Sequence, residues 1–349
     1  MRLYLLLIIF ILPTSVMAKE QLNILTYDSF TSEWGPGPNI QKSFEEICNC
    51  EINWSTSDSS GALLSRVKLT NNEEGFDIIL GIDNSLMDEA KKTKLFSNHS
   101  LSKTIYLAPD FKATSKSLLD FLNINWNDEM FVPFEFGYFS FIYNSSNLKN
   151  PPKSFDELAA RDDIRIIITD PRTSTPGLGL AKWIYQLKGD DSKSFWTSLQ
   201  DQIVITSKSW SDAYGLFLEG EGDIVIGYST SHVYHPWIVN EYDYKSLLLE
   251  EGHPMQIKTL GILNNAPNKK LAEKFLRFAL SKEFQKHIPA GDWMYPVGSL
   301  LEVEELYVYA GFDMLDFYKS TPIPKALDVI HGSTEDNVKW IESWLSSID

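Results

Sequence analysis

Three times in its first third, the chain runs from a short apolar stretch into a polar turn and then into a segment of helical spacing. Leu22 to Thr26 ends in Tyr27-Asp28-Ser29-Phe30, before a helix that Pro38 opens and that runs through Phe44 to Ile47. Glu51 to Thr56 leads through Ser59-Ser60-Gly61 into a helix over Ala62 to Leu69, and Phe76 to Ile82 ends in Asp83-Asn84 before another helical run. This alternation predicts an α/β fold with a parallel sheet wound by helices on both faces. Ligands of such sheets sit beyond the carboxyl ends of the strands, the edge that receives Tyr27, Ser59, Ser60 and Asp83.

The pattern then breaks and resumes. Phe131 to Phe139 is continuous, aromatic and interrupted by Pro133, which reads as an extended crossing into a second domain, followed by a strand over Ser140 to Tyr143. After the Pro151-Pro152 loop come a short helix (Phe155 to Ala160) and strands over Ile164 to Thr169, Ile203 to Thr206 and Asp223 to Tyr228. Between the strands, Pro176 to Leu187 and Trp210 to Leu218 read as helices. Met255 to Leu263 returns the chain to the first domain ahead of a helix over Lys269 to Leu280, and Glu335 to Leu345 is an amphipathic helix packed on a lobe. The expected arrangement is two α/β lobes with a ligand cleft between them. Lobe 1 takes residues 19–135 plus about 236–310, and lobe 2 takes 136–235 plus about 311–349.

Residues 1–18 read as a secretory signal peptide: Arg2, an apolar run from Leu3 to Leu12, and a small-residue exit at Ala18. The run is about half of the ~20 residues that a bilayer span needs, and no Cys stands at the cleavage point for a lipid anchor. The exported chain of about 330 residues is long enough for two cores without disulfide staples. Its two cysteines, Cys48 and Cys50, are too close in sequence for an easy unstrained bridge and read as a helix-end pair, reduced or oxidised. The formal net charge of −16 argues against nucleic acid as a partner and is compatible with a small cation. Ten Trp, fifteen Tyr and twenty Phe exceed what a core alone requires.

Two kinds of residue point to a ligand. Asp170 to Gly179 follows a strand and opens a helix, with Thr175 at the cap and Pro176 at the first turn. Gly177 and Gly179 leave that turn bare for close approach of a ligand, and free N–H groups with the Ser174 and Thr175 hydroxyls suit an anion. Ser59-Ser60-Gly61 and Ser229-Thr230-Ser231 repeat the arrangement, although each read singly is an ordinary helix cap. The second kind is aromatic: Tyr27, Trp34, Tyr228, Tyr234 and Trp293 lie at turns or element edges, where flat rings stack on a heterocycle and attract a cation. Catalytic signatures are missing. There is no nucleophile elbow, zinc-protease helix or phosphate-binding Gly-rich loop, and His232 with His235 lacks an acidic partner for a metal.

These residues carry a resemblance. Thr26 to Phe30, Trp34-Gly35-Pro36-Gly37-Pro38, Cys48-Asn49-Cys50, Phe131 to Phe134, Asp170 to Leu180, Trp210 with Ala213 to Leu216, and the stretch Asp292 to Val297 together resemble the thiamine-binding branch of the type II periplasmic binding proteins. In that last stretch the family carries Asn-Trp-Met-Tyr-Pro-Val. The resemblance implies capture of thiamine, its monophosphate or its pyrophosphate in the periplasm. Delivery would be to an inner-membrane permease driven by an ATPase, with no cofactor, by a monomer that is not an enzyme. It places phosphate and polar contacts on Ser59, Ser60, Ser174, Thr175, Trp210 and Tyr228-Ser229-Thr230-Ser231, and stacking on Tyr27, Trp34, Tyr234 and Trp293. Asp58 is displaced by one place from the family's acidic residue, which weakens the assignment of Ser59 and Ser60. Asp28, Asp83 and Glu135 stand as candidates to balance the thiazolium cation. Two rival readings share the fold. A thiaminase-like enzyme needs a Cys nucleophile in the cleft beside a base, and a polyamine carrier needs carboxylate-rich contacts and no anion sites.

Overall fold

The computed structural model describes residues 19–101, 126, 128–297, 308–309, 312–313, 321–327 and 333–347. The expected signal segment lies outside the described residues. The main sheet is built from β1 (Gln21–Tyr27), β2 (Glu51–Ser57), β3 (Ile78–Asp83), β4 (Phe131–Asn144), β5 (Ile166–Thr169), β6 (Ile203–Ser207), β7 (Ile224–Tyr228), β8 (Tyr244–Leu247), β9 (Met255–Ile262) and β10 (Tyr295–Pro296). Their order is β2-β1-β3-β9-β4-β7-β5-β6, with β8 and β10 also paired to β4.

The sheet is mixed rather than purely parallel. β1 lies parallel to β2 and β3, and β5 lies parallel to β6 and β7, as strand–helix alternation requires. β9 runs antiparallel to both β3 and β4, because the chain re-enters the first lobe from the far side. The stretch read as a crossing followed by a separate strand is a single strand of 14 residues. β4 pairs with β9 from Phe131 to Tyr138 and with β7 from Phe139 to Tyr143, so it passes from one lobe to the other without a break. Pro133, which cannot donate to a ladder, sits where the register against β9 shifts.

Each side of that handover has its own core. One cluster gathers residues from β1 to the first half of β4 with β9 and the Lys269–Ala279 helix, including the edge-to-face pair Phe44–Phe275 with centroids 4.9 Å apart. The other gathers the second half of β4, β5, the Thr175–Lys188 helix and two residues of the last helix, Trp340 and Trp344. That last helix, Thr334–Leu345, starts at a capping box in which Ser333 and Asp336 satisfy each other's backbone. Most of the aromatic excess is consumed here: Phe30, Phe44, Phe131, Phe134, Phe136, Phe141 and Phe155 are fully buried.

Cys48 and Cys50, whose redox state the spacing left open, are disulfide-bonded. Asn49 adopts a left-handed backbone (φ 55°) at the end of the Gly37–Cys48 helix, and this turn sets the two Cα atoms 5.2 Å apart, within bridging range.

His253 pins the strand handover. Its Nδ1 lies 2.7 Å from the Phe139 carbonyl and its Nε2 accepts from the Leu249 N–H at 2.8 Å, so the ring is neutral, with the proton on Nδ1. Burial pulls its pKa from the ordinary 6.5 down to about 4. A depressed histidine pKa makes the unfolded chain bind the proton first, so stability is lost as the pH falls from about 6.5 towards 4. Chemical denaturation across this range will show that loss, and His253→Gln will make its pH dependence shallower. Parallel pH profiles for the two proteins would remove this role from His253.

Candidate functional site

A cleft of about 340 Å³ opens between the two cores, at the carboxyl ends of the strands. β1 delivers Tyr27, Asp28 and Ser29; β2 delivers Asp58, Ser59 and Ser60; and the turns after β5 and β6 deliver Ser174-Thr175 and Ser209-Trp210. Tyr228 and Ser231 follow from β7, Lys258 from β9, and Trp34, Asp292 and Trp293 from loops. Ten of the thirteen residues singled out from sequence therefore line one cavity: Tyr27, Trp34, Ser59, Ser60, Ser174, Thr175, Trp210, Tyr228, Ser231 and Trp293. Ser229, Thr230 and Tyr234 do not line it. Ser229 is buried with its N–H on the Tyr138 carbonyl, and Thr230 donates to the Trp293 carbonyl. Tyr234 meets Trp293 edge-to-face at 5.4 Å, so it braces a wall ring from behind.

The polar end is built from neutral donors. Ser59 caps the Ser60–Thr70 helix, accepting from the Ala62 N–H at 3.3 Å. The Ser60 N–H reaches the Thr175 hydroxyl across the cleft at 3.4 Å, and the Ser60 hydroxyl donates to the Gly81 carbonyl. The cap of the Thr175–Lys188 helix is Ser174, one residue before the expected Thr175, and it makes no side-chain capping bond, which leaves its hydroxyl free of that duty. The expected third helix start at Ser229-Thr230-Ser231 is not a capped α-helix. A 3-10 turn, Ser231–Val233, follows and runs into a π-helix, His235–Val239, with no side-chain cap; the Ser231 hydroxyl instead accepts from the Tyr228 N–H at 3.1 Å. The third helix aimed at the cleft is instead Trp210–Leu218, capped by Ser209, which accepts from the Asp212 N–H at 3.2 Å. The Trp210 indole N–H is buried beside it with no hydrogen-bond partner. A buried donor left unpaired costs roughly 1–3 kcal/mol, and this one lies against Gly227, close to the Ser231 hydroxyl.

Gly177 and Gly179 do not serve a ligand. A Cβ at Gly177 would lie 2.3 Å from the Thr169 carbonyl oxygen, and one at Gly179 would lie 2.3 Å from the Phe139 ring. Both glycines let the helix pack against the sheet.

The aromatic end is unequal. Trp34 is half exposed at the mouth, whereas Trp293 is buried and held at a backbone φ of +55°. A bulky residue in that region carries strain that its surroundings must hold in place, and here Thr230 and Tyr234 do so. Tyr228 stacks on Phe139 at 5.3 Å. Tyr27 is already engaged: the Lys258 ammonium sits 4.0 Å from its ring centroid, a cation–π contact supplied by the protein itself.

Beneath Tyr27 lies a buried charged group that the sequence reading did not assemble. Lys258 Nζ is 2.6 Å from Glu135 Oε1 and 3.1 Å from Asp292 Oδ2, and the Tyr27 hydroxyl contacts both carboxylates. Burial and the neighbouring Asp292 raise the Glu135 pKa well above the usual carboxylate range. For Asp292, burial pushes upward but Lys258 and its hydrogen bonds prevail, and its pKa is lowered. For Lys258, burial pulls down and the two carboxylates more than reverse it. Of the proposed counter-charges, Asp28 lines the cleft, Glu135 lies behind Lys258, and Asp83 faces Ser85 and Gln256 away from the cavity. One signal was available in the sequence: Lys258 is the sole charge in the apolar run Met255 to Leu263.

Comparisons with known proteins agree with this architecture. The profile described as bacterial extracellular solute-binding protein matches residues 31–286. The thiamine-binding periplasmic protein of Escherichia coli is 40% identical over 301 residues, covering 86% of each chain. That of Brucella melitensis is 36% identical over 337 residues, covering 96% of this chain and 94% of its own. A solved structure titled periplasmic thiamin binding protein superposes with a TM-score of 0.82 at 37% identity, covering 95% of this chain and 97% of that one. With its two-lobe sheet and inter-lobe cleft, the chain belongs to the bacterial extracellular solute-binding protein family.

Proposed function

We propose that the chain is the periplasmic substrate-binding component of an ATP-binding-cassette importer, and that its cargo is thiamine or a thiamine phosphate. The observation that carries this reading is the cleft's two-ended chemistry. Trp34 and Trp293 offer ring faces at one side, and the capped helix starts at Ser59, Ser174 and Ser209 with the unpaired Trp210 N–H offer neutral donors at the other. Thiamine joins a thiazolium cation to an aminopyrimidine, both flat, and its esters add an anionic tail. The relatives named for thiamine binding, which cover most of the chain, support the same ligand.

In this reading the thirteen residues divide by place. Trp34 and Trp293 stack on the ligand, with Tyr27 and Tyr228 completing the ring-lined walls. Ser59, Ser60, Ser174, Thr175, Trp210 and Ser231 meet the phosphate, and Ser229, Thr230 and Tyr234 support the wall. Groups from both lobes meet the ligand only when the cleft is closed, so binding favours the closed state that a permease then recognises. The cleft is complete within one chain, and a monomer suffices. No enzymatic step is assigned: the thiaminase reading needs a free thiol in the cleft, and the two cysteines of the chain are bonded to each other at the end of a helix.

Calorimetry of the exported protein with thiamine, its monophosphate and its pyrophosphate, and with spermidine in parallel, tests the assignment. Tight binding of spermidine without thiamine would replace it with the polyamine reading. Trp293→Ala is expected to weaken all three thiamine forms, because a desolvated cation–π face contributes up to about 2 kcal/mol. Trp210→Phe keeps the ring and removes the N–H. It is expected to weaken the two phosphorylated forms about tenfold, as for one hydrogen bond to a charged group, and to leave thiamine unchanged. Equal losses across the three ligands would take the phosphate role from Trp210.

A further inference from the structure

The floor of the cleft holds more acid than its one lysine neutralises. Glu135 and Asp292 both contact Lys258 Nζ, at 2.6 and 3.1 Å, and both contact the Tyr27 hydroxyl. Tyr27, Glu135 and Lys258 are buried, Asp292 keeps part of its surface in the cleft, and Glu135 Oε2 has no hydrogen-bond partner. The groups facing the pair come from three strands and a loop: Tyr27 on β1, Tyr228 on β7, Lys258 on β9, and Asp292 itself. Tyr228 stays neutral, since burial drives its pKa up. Two ionised carboxylates against one ammonium would leave one charge uncompensated out of water. Carboxylates that share a site avoid this by holding one proton between them. Tyr27, Lys258 and Asp292 face the cavity, whereas Glu135 lies behind them.

We propose that the Glu135–Asp292 pair is a proton-exchanging seat for a cationic ring: the empty cleft keeps one proton on the pair, and a ligand with a fixed positive charge expels it and takes its place. The inference rests on the thiamine reading. The exchange balances. One carboxyl O–H bond breaks, its proton passes to water or buffer, and the floor changes from neutral to singly negative as the ligand brings one positive charge. A quaternary thiazolium cannot titrate, so a proton released on its binding comes from elsewhere. Asp292 meets the ligand, and Glu135 is a positioning residue that acts through Asp292 and Lys258. The seat would select for charge as well as ring shape, because a neutral ring of similar outline has nothing to exchange for the proton.

Titration calorimetry of the full exported protein with thiamine, in HEPES and in Tris, reads the exchange directly, since the two buffers differ in ionisation enthalpy and neither brings a phosphate to the donor end of the cleft. Release approaching one proton per ligand is expected. With it, the Kd should fall as the pH rises, by no more than about tenfold per pH unit, because linkage ties binding to proton loss. Thiochrome, the neutral oxidation product in which the pyrimidine amino nitrogen is joined to the thiazole carbon as a fused tricycle, should bind more weakly and with no proton release; release on its binding overturns the proposal. Glu135→Gln and the isosteric Asp292→Asn should each abolish the release and weaken thiamine binding about tenfold, with circular dichroism reporting that they remain folded. A loss of contact alone would lower affinity without moving the proton count. Thiamine binding to the wild-type protein with buffer-independent heat overturns the proposal and leaves the thiamine reading standing. Failure of the wild type to bind thiamine overturns both. If neither variant folds, the wild-type buffer series and the thiochrome control decide.

Discussion

The cleft exists because one strand changes partners partway along its length. β4 is held by β9 up to Tyr138 and by β7 from Phe139 onward. Two cores can therefore form on either side of a continuous ladder, with the strand ends of both facing the same gap. The handover is braced rather than loose: His253 holds the Phe139 carbonyl, and the Phe139 ring stacks on Tyr228 and fills the space left by Gly179. A displacement of the lobes therefore reaches a cleft residue, Tyr228, through direct packing contacts.

Charge within the cleft is distributed in an unexpected way. Lys258 is the only cationic side chain among the described residues lining it, and it is committed to Glu135 and Asp292. An anionic tail would meet hydroxyls, backbone amides and an indole N–H instead. Neutral donors fix an anion by geometry, and helix N-termini add favourable partial charge. Under the proposed function, a pocket with no arginine clamp among its described lining residues would also admit thiamine without a phosphate, because an empty donor site exposes no unpaired cation.

The framework was legible because its signals are local. Apolar runs closed by polar turns placed β1, β2, β3, β5, β6 and β7 to within a few residues, and their carboxyl ends located the cleft. What was missed depends on distant contacts. That Glu135, Lys258 and Asp292 converge follows from pairing between β4 and β9 and from a loop that returns late in the chain, and no spacing rule encodes it. Gly177 and Gly179 were misread because a missing Cβ looks the same in sequence whether a ligand or a neighbouring ring occupies the space. Ser229 to Ser231 looked like a capped α-helix start because serine and threonine favour caps, but a 3-10 turn and then a π-helix follow, with no side-chain cap. The Cys48–Cys50 bond hinged on the left-handed turn at Asn49, which residue spacing alone does not reveal.

The antiparallel entry of β9 also has a bearing on how the polypeptide matures. Ile78 on β3 waits for Ile262, and Phe131 on β4 waits for Gly261. The first lobe's sheet therefore cannot be completed until most of the chain is available, whereas β5, β6 and β7 of the second lobe find one another within a shorter stretch. Distant pairings slow folding because the intervening chain must be ordered before the contact repays it. An amino-terminal half that stays incomplete until late synthesis suits a protein handed to a secretion channel before it becomes compact.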